Sequence, residues 1–402
     1  MLTVGGVPLS VEQAPNIAAF LEEAGLATTQ ASSLYLHIPF CFHRCHYCDF
    51  YSVVDTHRQH GDFVDRLLEE LAFSAERLSL PLKTMFVGGG TPTLLEPSLW
   101  QRLGAAFKPL IDGETECTVE ANPETVEEPL LDVLVDSGVN RLSIGAQSFD
   151  EGLLKALERH HAPANVGRAV RLARQAGIKR VSLDLIFAIP GQTMQMLEAD
   201  LDQALDLEPE HLSYYALTYE PKTPLFQRRA GGLVEQVDED LEAAMFERVQ
   251  ARLAEAGYAQ YEISNYARGD LEVCRHNLVY WQGQNYWPLG PGAAGKLGAL
   301  RWRNAPALPA YLKSQQWPAV VDVERLDEAG QIGEQLMLGL RLNAGLSGQQ
   351  LEALLANDPA STTRRAAIEG FCQRGLLEQD GMGLRLTQQG RMLGDGIMAA
   401  LL

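Results

Sequence analysis

Between residues 34 and 260 the chain alternates short β-branched and aromatic runs with longer amphipathic stretches of helical character. Strands are expected at 34–38, 84–87, 116–120, 140–145, 180–187 and 211–217. Helices are expected at 62–78, 96–111, 127–137, 164–176 and 194–207, with a further one at 241–256. Six strands, each followed by helical material, read as repeated βα units. The class is therefore α/β, with a parallel sheet curled into a full or partial (β/α)6 barrel of the TIM-like kind.

In such a sheet the working residues gather at the carboxyl ends of the strands, where the βα loops converge. The polar and glycine-rich positions fall at that rim. Cys41, Cys45 and Cys48 follow the first strand, and Gly88 to Thr93 follow the second. Glu120 ends the third, Gln147 follows the fourth, and Asp184 lies in the fifth.

The pattern changes outside this region, which divides the chain into four parts. Residues 1–33 carry one short helical pattern near 16–23 and no motif, and read as a loosely packed N-terminal extension. Residues 34–260 form the barrel core. Residues 261–317 are rich in aromatics and glycine and contain CRHNLVYW. Residues 318–402 read as three helices, a strand pair and a final helix, a winged-helix-like arrangement.

Winged helices often bind DNA, but this segment holds 7 Arg, no Lys and 11 acidic residues. The whole chain carries a net charge of −19. A phosphate backbone would be repelled, so protein contact is the expected role of the tail and nucleic acid is an unexpected partner. Residues 1–43 lack Lys and Arg, and no apolar run reaches the ~20 residues needed to span a bilayer. A cytoplasmic protein, not integral to a membrane, is expected.

Six cysteines in 402 residues do not make a disulfide framework, yet three of them fall within eight residues. The array C-x3-C-x2-C can hold three irons of a 4Fe-4S cluster and leave the fourth open to an exchangeable ligand. A zinc site completed by His43 or His46 is the alternative, and the spacing is atypical for it. Cys117 and Cys372 read as core residues. The pair His160-His161 reads either as site residues or as a solvated helix end.

The array with Tyr47 before its third cysteine resembles the signature of the radical S-adenosylmethionine (SAM) superfamily. The segments YLHIPFC, VGGGTPT, VEANPET, GAQSFD and DLIFAIPGQT resemble the oxygen-independent coproporphyrinogen III oxidase group within it. That resemblance runs from Tyr35 through the C-terminal segment. It implies a cluster on Cys41, Cys45 and Cys48, with SAM chelating the open iron. It also implies Tyr35 beside SAM, Gly89, Gly90 and Thr91 receiving its methionyl end, and Glu120 accepting its hydrogen bonds. Ala216 matches a backbone contact to SAM. Gln147, Arg159 and Asp184 match positions that contact a second SAM in porphyrinogen-converting members. One departure stands at Phe187-Ala188, where relatives commonly carry Tyr and Gly.

Two branches of the group differ where this chain can be read. The coproporphyrinogen dehydrogenases carry a further cysteine two residues after the array, and Phe50 stands there instead. The HemW-type haem chaperones resemble this chain in CDF after the array and in the motif H-N-x-x-Y-W, here His276 to Trp281. That resemblance implies haem as cargo, handed to an acceptor protein, respiratory or membrane-associated. His276 is then a candidate axial ligand, with Tyr280 and Trp281 offering flat apolar area and Cys274 a second possible ligand. The alternative is an enzyme that abstracts hydrogen from a porphyrinogen propionate and decarboxylates it.

Overall fold

The computed structural model describes residues 2–4, 7–9, 15–54 and 58–402 of the chain. Six parallel strands form its centre: β1 Ser33–Ile38, β2 Thr84–Gly89, β3 Glu116–Ala121, β4 Arg141–Gln147, β5 Arg180–Phe187 and β6 His211–Ala216. They lie side by side in chain order. Trp287–Leu289 joins β1 in parallel, and Asn265–Ala267 joins β6 antiparallel, so the sheet is a partial barrel whose two edges do not meet.

Strict alternation along the strands decides what each face does. Leu34, Leu36, Ile38, Met85, Val87, Val119, Leu142, Ile144, Leu183 and Leu185 are all buried, and they share one core with the covering helices. Those helices are α1 His60–Ser74, α2 Pro97–Phe107, α3 Glu128–Asp136, α4 Ala164–Gln175, α5 Met194–Asp206 and α6 Glu239–Glu255. They supply Phe63, Trp100, Leu134, Val170, Leu201 and Val249, each such side chain contributing about 1.5–3 kcal/mol by leaving water. The intervening strand positions point inward and are mostly polar: Tyr35, His37, Glu116, Glu120, Arg141, Ser143 and Asp184. A sheet with an apolar outside and a polar inside is built around a ligand.

Helix ends differ from expectation for identifiable reasons. α2 stops at Phe107, because Pro109 has no N–H to continue the ladder, and a 3-10 turn, Lys108–Leu110, follows. The short helix Glu151–Ala156 escapes pattern recognition at six residues; Asp150 caps it by accepting from Leu153 N at 2.9 Å.

The N-terminal extension is not loosely packed where it is described. Ile17 and Leu21 of the helix Ile17–Glu23 are buried in the main core, and Val320 N donates to Pro15 O at 2.9 Å. Residues 1, 5, 6 and 10–14 lie outside the described residues.

The C-terminal segment has its own core of Leu336, Leu340, Leu351, Ile368, Phe371, Leu384 and Ile397. Its helices and the hairpin Leu377–Asp380 with Gly383–Leu386 give the winged-helix-like shape. Glu334 pins this unit to the rest, lying 3.7 Å from Lys296 Nζ and paired with Arg301. Among the described residues, no helix is long and apolar enough to cross a membrane.

Candidate functional site

The loop after β1 carries the three cysteines, and the loop after β2 holds it in place. Gly90 N donates to Ile38 O at 2.8 Å, and Thr91 N donates to Phe40 O at 2.7 Å. Every glycine of the β2 loop is enforced by a neighbour. A Cβ at Gly88 would meet the Glu120 carboxylate at 2.7 Å, and one at Gly89 would meet the His37 ring at 2.5 Å. One at Gly90 would lie 2.6 Å from Phe40 O.

Gly90→Ala is therefore expected to push the start of the cysteine loop outward. Overpacking of this kind costs about 1–3 kcal/mol. Iron and sulfide bound per chain after anaerobic reconstitution should fall severalfold, and full occupancy would show that the loop gives way freely.

Donors converge on the sulfurs. Thr91 Oγ1 lies 3.8 Å from Cys41 Sγ, and Arg159 Nη1 lies 3.8 Å from Cys45 Sγ. Burial pushes the Cys48 thiol up to about 12, so a thiolate there needs the positive charge that iron supplies. The only compact trio of ligand atoms among the described residues, all within 4.8 Å, is His43, Glu158 and His160. Three thiols on one loop, spaced C-x3-C-x2-C, suit a cluster of several irons better than a single zinc. The residues fit a 4Fe-4S cluster that Cys41, Cys45 and Cys48 would hold, three ligands for four irons.

Below the cysteines, the inward face places two acidic groups with little to neutralise them. Burial pushes Glu120 up to about 7; the charge of Asp184 adds to this, and Gly89 N, donating at 3.1 Å, opposes it. Burial likewise pushes Asp184 up to about 6 against the hydrogen bonds of Ser143, whose Oγ lies 3.0 Å from each carboxylate oxygen. Two half-neutral carboxyls beside a glycine cradle suit a ligand that brings positive charge and hydrogen-bond donors, which SAM does.

Tyr35 lies in the same interior, its hydroxyl 3.2 Å from His37 Nδ1, and burial followed by the Glu120 charge raises its pKa. Gln147 closes β4 in the left-handed region at φ 63, beside a register shift in the strand. Arg159 is placed against Cys45, and Nη2 donates to Gly145 O at 3.0 Å. Tyr47 packs against the small apolar cluster that includes Leu153, Leu157 and Ile186, and Ala216 ends β6 half-buried. The structure thus brings Thr91 and Arg159 to the cysteines, with Gly89 and Gly90 in the adjoining loop, and sets Glu120, Asp184 and Tyr35 in the interior of the sheet, Tyr35 stacked on Phe86 and His276.

The sequence profile of the radical SAM superfamily matches residues 35–204, and that of the HemN C-terminal domain matches 326–393. The heme chaperone HemW of Lactococcus lactis is 35% identical over 92% of this chain and 97% of its own. That of Bacillus subtilis is 34% identical over 92% and 99%. The chain belongs to the radical SAM superfamily, in its HemW group. Among solved structures, coproporphyrinogen III oxidase (HemN) from Escherichia coli shares the fold, with TM-score 0.82 and 23% identity over 95% of this chain and 92% of its own.

Membership of the HemW group sharpens the question of the HNxxYW motif, and here the structure corrects the reading of His276 as an axial ligand. The motif forms α7 Arg275–Trp281, whose His276 meets Thr84 and Glu116 at the amino ends of β2 and β3 and stacks on Tyr35 of the interior. His276 is 1% exposed; its Nδ1 lies 2.8 Å from Thr84 Oγ1 and its Nε2 lies 2.9 Å from Tyr280 Oη. Both ring nitrogens are engaged and burial lowers the pKa to about 3, so the imidazole is a neutral packing group stacked on Phe86. Cys274 is buried too, its thiol 3.6 Å from Glu116 Oε1, and offers no open ligand position.

Sequence reasoning also missed His37, whose Nε2 lies 2.7 Å from Tyr51 O and whose ring fills the space beside Gly89. Its signal was available, since Tyr35 and His37 are consecutive inward positions of β1. The expected pair His160-His161 separates, with His160 exposed and His161 buried. At the Phe187-Ala188 departure, Ala188 sits at φ 58, a conformation in which glycine avoids a cost of about 1–2 kcal/mol.

Proposed function

We propose that this chain is a haem chaperone of the HemW type. It holds a SAM-ligated 4Fe-4S cluster on Cys41, Cys45 and Cys48 and passes haem to an acceptor protein. The carrying observation is end-to-end likeness to heme chaperones, with Phe50 rather than cysteine beside the array. Phe50 is 61% exposed at the cluster mouth and supplies apolar surface, not a thiolate.

Within this reading the chain's own groups have separable tasks. The three cysteines fix the cluster, Thr91 and Arg159 orient its sulfurs, and Glu120 with Asp184 offsets the charge of SAM. SAM and the cluster together supply one-electron chemistry when bound. The docked C-terminal unit, with its acidic surface, presents the face that meets the acceptor.

The cluster-loaded protein, incubated anaerobically with SAM, reductant and coproporphyrinogen III, is expected to leave the porphyrinogen intact. It is expected to bind haem stoichiometrically in a spectroscopic titration. Decarboxylated product would assign the chain to the enzymatic branch, and absence of haem binding would remove the cargo.

A further inference from the structure

We propose that the haem iron is met at the cluster mouth by one imidazole of the exposed pair His43 and His160. This rests on the haem-chaperone reading and names the site at which that cargo is held.

Burial excludes the other described histidines one by one. His37, His211 and His276 each engage both ring nitrogens inside the fold. His60 and His161 are buried. His46 is half-buried, with Nδ1 facing the Arg228 guanidinium at 3.3 Å. His43 and His160 are exposed, and they are neighbours: their ring centroids lie 4.5 Å apart at an interplanar angle of 80°. They come from different loops 117 positions apart, one between the first two cluster cysteines and the other next to Arg159 on Cys45.

The surroundings suit a metalloporphyrin. Phe42, Phe50 and Val54 flank the same loop at 57%, 61% and 62% exposure, and give a flat macrocycle apolar surface to rest on. In a chain of net charge −19, this mouth nevertheless presents Arg44, Lys155 and Arg228, cations for two propionates. Lys155, Glu158 and His160 line one cavity. Glu158 completes the trio, its carboxylate 3.9 Å from His160 Nε2 and 3.9 Å from Arg228 Nη1, where it can orient the imidazole.

The edge-to-face packing also limits the ligation. Two rings 4.5 Å apart leave no room for a porphyrin between them, so one imidazole binds the iron and the opposite axial face stays open. A five-coordinate haem on an exposed ligand can be taken over by an acceptor's own ligand on the open face. No bond to carbon or nitrogen of the macrocycle and no electron transfer is needed; only the axial ligand is exchanged.

The test is a haem titration of cluster-loaded, full-length protein under anaerobic conditions, following the Soret band. Wild type is compared with the double variant His43→Ala/His160→Ala and with His276→Ala, each checked for iron content and melting. The double variant should bind haem roughly tenfold or more weakly and lose the imidazole-ligated spectrum. Added free imidazole should restore that spectrum. Wild-type affinity and spectrum in the double variant would overturn the assignment while leaving the cargo intact. Loss of binding in a normally melting His276→Ala variant would return the ligand to the buried motif. If wild type binds no haem, the chaperone reading itself fails.

Discussion

Glu120→Gln is expected to weaken SAM binding by roughly ten- to a hundredfold at pH 8, the worth of a charge-assisted hydrogen bond of about 1.5–3 kcal/mol. It is also expected to flatten the pH dependence of that affinity. Glu120 and Asp184 sit near 7 and 6 because burial disfavours their charged forms. The sulfonium charge and the donor groups of SAM favour those charged forms, so bound SAM pulls both values down. Below the unliganded values each carboxyl must release a proton on binding, and affinity falls as pH falls. Wild-type affinity should thus rise from pH 5 and level off above about 7. The variant keeps only the shallower part due to Asp184, complete near pH 6. Calorimetric titrations across this range check it, with S-adenosylhomocysteine, which lacks the sulfonium charge, as the control expected to show less slope. Parallel pH profiles for wild type and variant would remove Glu120 from the SAM site.

The same groups set a cost on the empty protein. Carboxyls whose pKa is raised on folding bind more protons folded than unfolded, so the unliganded fold loses stability as pH rises from the ordinary carboxylate range toward 7. SAM bound beside them would offset that loss. An interior of this kind is explained by its ligand and not by packing.

Much of this was legible in the chain because the physics was local. The six strands announce themselves by β-branched and aromatic runs, and the cysteine loop by spacing alone. The inward face could be found too, since polar residues at every second strand position can only face a cavity. The placement of His276 could not be found in this way. Its motif offers a histidine and two aromatics, which suits a porphyrin, but its partners Thr84 and Glu116 lie in strands more than 150 positions away. The pairing of His43 with His160 is hidden for the same reason: it depends on how two loops meet. The sequence shows which residues can do chemistry; which of them remain exposed is decided by tertiary contacts.

Glu116→Ala is expected to destabilise the fold by about 3–5 kcal/mol, the range for removing one partner of a buried ion pair. Glu116 and Arg141 are 2% and 1% exposed, with Nη2 3.3 Å from Oε2. The carboxylate also receives His276 N at 2.9 Å and Arg275 N at 3.1 Å, so it caps the first turn of α7 from another strand. Arg141 Nη2 in turn donates to Glu272 O at 2.9 Å and Val273 O at 3.1 Å, tying down the chain just before that turn. Loss of Glu116 would leave a buried guanidinium without its counter-charge and the helix without its cap. Glu116→Ala/Arg141→Met should therefore be more stable than the single variant, because the apolar side chain removes the stranded charge. Denaturant unfolding of the three proteins measures both differences. A single-variant loss under about 1 kcal/mol would mean the HNxxYW helix is held by its aromatic packing alone. The expected result makes the motif a plug that closes the amino end of the sheet.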